Sequence, residues 1–394
     1  MTVLRALILV LCLIVPTVLL AEPIPIANPP PLLTATPPSI NAKGYILLDA
    51  GSGKVLAAMN PEQRMEPASL TKMMTSYVIS QALRQGRIHL NDPVSISAKA
   101  WHTGGSKMFV KIGDNVPVQD LLQGIIVQSG NDACIAMAEF IAGSEEGFVS
   151  LMNQAAQQLG MKNSHFMDST GLPDPNHYST PHDMALLGRA LIQDFPEDYK
   201  WYSQKWFVYN GIRQPNRNRL LWRDASVDGI KTGHTEEAGF CLVASAQRNG
   251  MRLITVVMGA PTDAARADDS EALLTYGFRF FETHHLYAAG SILKQATVWK
   301  GIHKQLPLGT AQDIAVTLPT GQYQNLKMSI DIAKEVIAPV KKGQSLGQLK
   351  INLNGETIAT YPVVALADNP QAGIFSRCWD AICLMFRHLF HKGE

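Results

Sequence analysis

VDGIKTGHTEEAGFCLVASAQRNGMRLITVVM, residues 227–258, is the stretch that decides the fold. Val227 to Lys231, Phe240 to Ala246 and Leu253 to Met258 are short runs rich in apolar residues, with glycine and polar residues between them, which is how strands read. Asn249-Gly250 joins the last two as a hairpin turn, because both turn positions need positive φ and these residue types tolerate it best. A second strand–turn–strand signal lies far upstream, where Tyr45 to Ala50 and Val55 to Ala58 flank Gly51-Ser52-Gly53-Lys54. Between these two regions the pattern is helical. Leu70, Met73, Met74, Tyr77 and Val78 recur at helical spacing, and further helical patterns cover about 118–142, 147–159 and 181–193. A sheet built from both ends of a domain, with helices inserted between, predicts an α/β (α+β) domain whose antiparallel sheet is flanked by helices.

Outward from that domain the texture changes on both sides. From about residue 285 short alternating segments appear, such as Leu326 to Ile332 and Ile351 to Leu353, and Asn354-Gly355 makes another hairpin turn. Residues 285–368 read as a small all-β domain and 369–394 as a separate tail. Upstream, residues 22–38 hold Pro29-Pro30-Pro31 and Pro37-Pro38, an extended linker. Residues 1–21 carry Arg5 as the single charge, an apolar run from Ala6 to Val15, and Pro16, with Ala21 before Glu22. That order matches a secretory signal that is cleaved, although Leu19 is bulky for its place before the cleavage point. The alternative, a retained anchor, is shorter than the ~20 residues that span a bilayer. The domain carrying the chemistry is thus expected over 39–284.

A chain of 394 residues, 46% hydrophobic and 17% charged, has ample material for folded cores. The formal charge is 34 − 33 = +1, and 33 − 33 = 0 once Arg5 is removed with the signal. No basic surplus exists to bind nucleic acid. Cys134 and Cys241 sit in apolar segments, and Cys378 and Cys383 lie near the C-terminus. None has metal-ligand or disulfide-framework spacing, and a lipoprotein reading through Cys12 is weak behind bulky Leu11.

Three short motifs carry the chemistry. Ser69-Leu70-Thr71-Lys72 places a hydroxyl and an amine one turn apart on a helix face. A serine needs a base to become a nucleophile, and a lysine serves if burial or a neighbouring cation lowers its pKa. Alone the pattern is weak: Ser291-Ile292-Leu293-Lys294 is a second copy, read as a decoy because no companion motif follows it. Ser129-Gly130-Asn131 sits between two helical segments, either as a capping turn or as a second hydroxyl and a peptide-gripping amide. Lys231-Thr232-Gly233, followed by His234, ends a strand and could bind a carboxylate, or be an edge strand with a solvated lysine.

The ordered set Ser-x-x-Lys, Ser-x-Asn, Lys-Thr-Gly reverses those bland readings, since it is the signature shared by penicillin-binding proteins and serine β-lactamases. From about residue 40 to 394 the chain resembles the low-molecular-mass penicillin-binding proteins, D-alanyl-D-alanine carboxypeptidases of the penicillin-binding protein 5 type. The resemblance implies removal of the terminal D-alanine from peptidoglycan pentapeptides, with β-lactams as covalent inhibitors and no metal or cofactor. It implies Ser69 as nucleophile, Lys72 as base, with Lys231 lowering its pKa, and Ser129 as proton relay to the leaving group. Asn131 would position the substrate amide, and the backbone N–H groups of Ser69 and His234 would form the oxyanion hole. Lys231, Thr232, Gly233 and Arg266 would receive the substrate's carboxylate end. Gly104 to Phe109 resembles a loop bordering the site. Thr180-Pro181-His182-Asp183 also has a family counterpart but reads as a helix start, and His177 and His182 read as surface residues.

Related readings differ in chemistry or class. A DD-endopeptidase would use the same residues. A class A β-lactamase would need a deacylating glutamate, and no Glu-x-x-x-Asn lies between the second and third motifs. A non-enzymatic wall-binding protein would have no use for Ser69. In the tail, Phe375, Trp379, Ile382, Phe386 and Leu389 form one apolar helical stripe, with Arg377, Asp380, Arg387, His388 and Lys392 largely off it. Such a helix suits the lipid interface, or packs on the β domain. Signal and tail together, with the family's amphipathic anchor, imply a peripheral enzyme on the periplasmic face of the cytoplasmic membrane. A homodimer is left open.

Overall fold

The computed structural model describes residues 35–390. The expected signal, residues 1–21, and the linker up to residue 34 lie outside the described residues.

The central sheet has the two-ended construction read from the sequence. Its strands are β1 (Gly44–Asp49), β2 (Val55–Met59), β3 (Val227–Thr235), β4 (Gly239–Arg248) and β5 (Met251–Ala260). They lie in the order β2-β1-β5-β4-β3, every neighbour antiparallel. The β4–β5 hairpin turns at Asn249 (φ 49°) and Gly250 (φ 82°), the left-handed pair the sequence calls for. The chain's distant ends meet where β1 pairs with β5, Tyr45 opposite Val257.

Alternation along the strands gives the sheet two apolar faces. Ile46, Leu48, Ile254, Val256 and Met258 enter the larger core. That core holds α1 (Thr71–Arg84), α2 (Asn131–Ala142), α3 (Glu145–Gln158) and α4 (Pro181–Asp194). Tyr45, Leu47, Leu253 and Val257 face the other way, against α5 (Asp263–Phe280). Helix α4 starts as expected: the Thr180 side chain accepts from the Asp183 amide at 3.1 Å and Pro181 occupies the first turn.

Helix α5 runs without a loop into the strand Phe281–Tyr287, which pairs with Ile314–Pro319. The β-rich part therefore begins at Phe281, four residues before the expected boundary, because the strand starts directly at the helix end and pairs with Ile314–Pro319. A six-stranded sheet follows, with its own core of residues such as Leu308, Leu349, Ile351 and Val363. The second Ser-x-x-Lys copy lies here, with Lys294 exposed on the strand Ile292–Trp299. Phe281 packs on Tyr276 of α5, and polar contacts to the first domain stand beside it: Thr283 Oγ1 donates to Asp49 Oδ2 at 2.8 Å, Lys54 Nζ donates to Thr317 O at 3.1 Å, and the Ser52 and Thr317 hydroxyls lie 2.6 Å apart.

The tail forms α6 (Ile374–Phe390). It docks on the β domain through one face, where Asp380 and Leu384 are buried and Lys304 Nζ donates to Asp380 at 2.7 Å. Phe375 and Trp379, on the opposite face, are exposed. The Leu389 side chain, last in the expected stripe, lies outside the described residues. Among the described residues no helix is long and apolar enough to cross a membrane.

Candidate active site

The nucleophile turn is built under strain and held by two glycines. Ala68–Leu70 is a single 3-10 turn leading into α1, and Ala68 is left-handed at φ 47°. That conformation costs a non-glycine residue ~1–3 kcal/mol and survives only when surroundings over-determine it. Here they do. Gly233 of β3 lies so close that a Cβ on it would sit 2.8 Å from the Pro67 carbonyl oxygen. Gly171 (φ 86°) lies closer still, and a Cβ there would overlap the Ala68 carbonyl.

One turn into the helix, Lys72 is 1% exposed. Its Nζ donates to Ser69 Oγ at 2.8 Å and to the Thr170 carbonyl at 2.8 Å. Burial pulls its pKa down to about 8, against the opposing pull of Cys134, Asp168 and Asp132. Burial and the like charge of Lys231 were the expected causes. Burial is the larger one, and Arg217 is the positive neighbour that adds to it.

The second motif closes one side. A π-helical turn over Gly124–Gln128 ends at Ser129, which is left-handed (φ 66°, ψ 39°). Ser129 is 3% exposed, and its hydroxyl has no protein partner. Two residues on, Asn131 donates from Nδ2 to the Gly104 carbonyl at 2.8 Å, and its backbone N–H donates to Ser106 O at 2.7 Å. Asp132, also buried, accepts from the amides of Met108 and Phe109, both at 2.9 Å. The Gly104 to Phe109 segment is thus pinned to the start of α2 and borders the site, as its resemblance implies.

Strand β3 closes the other side. Lys231 is buried, donates to Thr232 O at 3.0 Å, and is held well below the usual lysine range by burial and then by Lys72. His234 packs its ring on Phe240, centroids 4.0 Å apart. Arg266, in the first turns of α5, is buried. Its Nη1 donates to the carbonyls of Gly233 (2.9 Å) and Cys241 (3.3 Å), and its Nη2 pairs with Asp263. It therefore ties β3 and β4 to α5 while reaching the site.

These elements enclose a cleft of about 600 Å³. Ser69, Ser129, Thr232, Gly233, His234 and Arg266 line it. Lys72, Asn131 and Lys231 lie behind that lining, buried and bonded to it. All nine residues singled out from the sequence therefore converge. Arg217 lines the same cleft and was not singled out, for no local pattern marks it. His177 is a correction: it is buried, not superficial, with Nε2 2.9 Å from Thr71 Oγ1. His182 is partly exposed and pairs with Glu62 at 2.8 Å. With Asp183 these form the one group among the described residues spaced to share a cation, and none of the three lines the cleft.

Comparison with known proteins agrees with this geometry. Residues 32–262 match the peptidase S11 family, described as D-alanyl-D-alanine carboxypeptidase, and residues 281–371 match the penicillin-binding protein 5 C-terminal domain. The chain is 47% identical to the D-alanyl-D-alanine carboxypeptidase DacC of Escherichia coli over 365 residues, 91% of each chain. The crystal structure of penicillin-binding protein 5 from Haemophilus influenzae superposes with a TM-score of 0.81 at 46% identity, covering 86% of this chain and 100% of that one. Penicillin-binding protein D2 of Listeria monocytogenes, solved in its ampicillin-bound form, has a TM-score of 0.57 at 27% identity, covering 62% of this chain and 100% of its own. Since the family model spans more than half of the chain and a relative at 47% identity covers 91% of it, the chain belongs to the D-alanyl-D-alanine carboxypeptidase family of peptidases and carries a C-terminal domain of the penicillin-binding protein 5 type.

Proposed function

We propose that Ser69 Oγ attacks the carbonyl of the penultimate D-alanine of a peptidoglycan pentapeptide, giving an acyl-enzyme and free D-alanine. The observation that carries this is the 2.8 Å contact between Lys72 Nζ and Ser69 Oγ, made by a lysine that burial brings near neutrality. An unprotonated Lys72 takes the serine proton as the bond to carbon forms. Ser129, with a buried hydroxyl that has no protein partner, passes a proton to the departing amine. Asn131 orients the substrate amide. The backbone N–H groups of Ser69 and His234, both residues lining the cleft, receive the oxyanion. Thr232, Lys231 and Arg266 receive the terminal carboxylate, with Gly233 letting the substrate backbone lie against β3. Water then cleaves the acyl-enzyme, returning Ser69.

A β-lactam presents the same reactive carbonyl and carboxylate, so it acylates the same serine; the ampicillin-bound relative supports this reading. The test is penicillin labelling followed by digestion and mass spectrometry. The adduct is expected on the peptide holding Ser69 and is expected to vanish in Ser69→Ala. An adduct elsewhere, or none in the wild type, removes the assignment.

Location belongs to the same proposal. The enzyme is exported by its N-terminal segment and held at the outer face of the cytoplasmic membrane by α6. The helix supports this by docking through Asp380 and Leu384 while leaving Phe375 and Trp379 outward, an aromatic face suited to the lipid interface.

A further inference from the structure

Behind the base lies an acid–imidazole pair, the imidazole buried and the carboxylate partly exposed, that the proposed reaction does not use. Asp168 sits in the loop between α3 and α4. Its Oδ1 accepts from the Thr170 amide (2.6 Å), the Thr170 hydroxyl (2.8 Å) and the Gly171 amide (2.6 Å). These bonds fold residues 168–171 into a turn that aims the Thr170 carbonyl at Lys72 Nζ. Its Oδ2 lies 3.4 Å from His177 Nδ1, and the other ring nitrogen of His177 meets Thr71, the residue before Lys72. The imidazole side chain is 1% exposed. One chain of contacts therefore runs from helix α1 through His177 and Asp168, back to the amine of the same helix.

We propose that Asp168, clamped by His177, is the positioning residue for the catalytic base: it fixes the carbonyl that holds the Lys72 amine and supplies the counter-charge to the ammonium formed when Lys72 takes the Ser69 proton. The step balances within the site. The Oγ–H bond breaks, Nζ gains that proton, and no group outside the site is consumed. A hydrogen-bonded loop carbonyl alone can accept from the amine, but it cannot offset a full positive charge in a buried site. A fixed carboxylate nearby does so without reorganising.

The electrostatics agree in direction. Burial opposes ionisation of Asp168, but bonds from His177, Thr170 and Gly171 outweigh it and hold the carboxyl down at about 2, so it is charged wherever the enzyme works. Asp168 in turn pushes Lys72 upward, as do Cys134 and Asp132 from α2, while Arg217 pushes it down. Lys231, from β3, is the other amine coupled to Lys72. Removing the Asp168 charge therefore moves Lys72 to a lower pKa and weakens its hold on the proton.

This inference rests on Ser69 and Lys72 as nucleophile and base, so its test is separate from the labelling above. The second-order rate of penicillin acylation is measured against pH for the wild type, Asp168→Asn and Asp168→Glu. Asp168→Asn keeps the shape and loses the charge. Its acid limb is expected to move to lower pH and its plateau to fall about tenfold or more, while Asp168→Glu recovers part of both. An acid limb unchanged in Asp168→Asn overturns the proposal, whatever the plateau does, because a merely structural role would lower the rate without moving the limb. Should Asp168→Asn not fold, His177→Phe decides. It fills the space but removes both contacts, and acylation at the wild-type rate in a folded variant overturns the clamp. Loss of the Ser69 adduct in the wild type would instead sink the underlying reading.

Discussion

Lys72 must be uncharged to act, and the fold achieves this chiefly by taking it out of water. A lysine at about pH 8 is half unprotonated there, against a small fraction for a solvated one. Because the base form is the active one, kcat/KM for a D-alanyl-D-alanine peptide is expected to rise about tenfold per pH unit on the acid side and to level above pH 8. A stopped assay of released D-alanine across pH 5–10 checks the limb. Ser129 makes a contrasting case. Its hydroxyl has no partner in the free enzyme, so Ser129→Ala strands no protein group. We expect little change in melting temperature with a fall of roughly 10²–10⁴ in turnover, the range of a lost general acid–base group. Calorimetry and the same assay separate the two effects.

At the scale of elements, the site is a meeting of a helix start, a helix junction and a strand, each shaped by one or two small or charged residues. Gly233 lets β3 approach the nucleophile turn, and Gly233→Ala drives a methyl toward the Pro67 carbonyl and the Leu70 amide. The strand or the turn must then shift. Overpacking of this kind costs about 1–3 kcal/mol, and acylation is expected to suffer beyond the loss of stability because Ser69 moves. Denaturant unfolding, with labelling below the transition, tests that separation. Asp132 anchors the border loop through the Met108 and Phe109 amides. Asp132→Ala strands those donors at roughly 1–3 kcal/mol each, so the loop is expected to gain hydrogen exchange at 104–110 before the sheet does.

Across the whole molecule, the peptidase domain, the β-rich domain and α6 follow one another with joints that specific polar side chains mark out. The joint around Asp49, Ser52 and Thr317 and the Asp380 clamp on α6 are hydrogen bonds set beside buried Phe281 and Leu384. Removal of residues 372–394 is expected to release the protein from membranes in a flotation assay while kcat/KM on a small soluble peptide stays unchanged. Continued membrane association would remove α6 from the anchoring role. Asp380→Ala is a milder probe: it leaves Lys304 without its carboxylate partner and is expected to make the α6 segment more sensitive to protease, with activity intact.

Much of this was legible in the amino-acid order. Asn249-Gly250 and the alternating runs around it specify an antiparallel hairpin, because turn conformation and side-chain period are local properties. Ser69-Leu70-Thr71-Lys72, Ser129-Gly130-Asn131 and Lys231-Thr232-Gly233 were recognisable because each needs only a few adjacent residues to be right. Distance and burial were not readable in the same way. That Lys72 loses charge mainly to burial, that Arg266 is a buried tie between α5 and β3, that Arg217 enters the cleft, and that His177 is sealed against Thr71 and Asp168 depend on residues tens of positions apart. Local sequence fixed the elements and the reactive groups, through periodicity and turn chemistry. The ionisation state and exposure of those groups were decided only when α1, the 168–171 turn, β3 and α5 packed against one another and excluded water, since solvation is a property of the assembled interior.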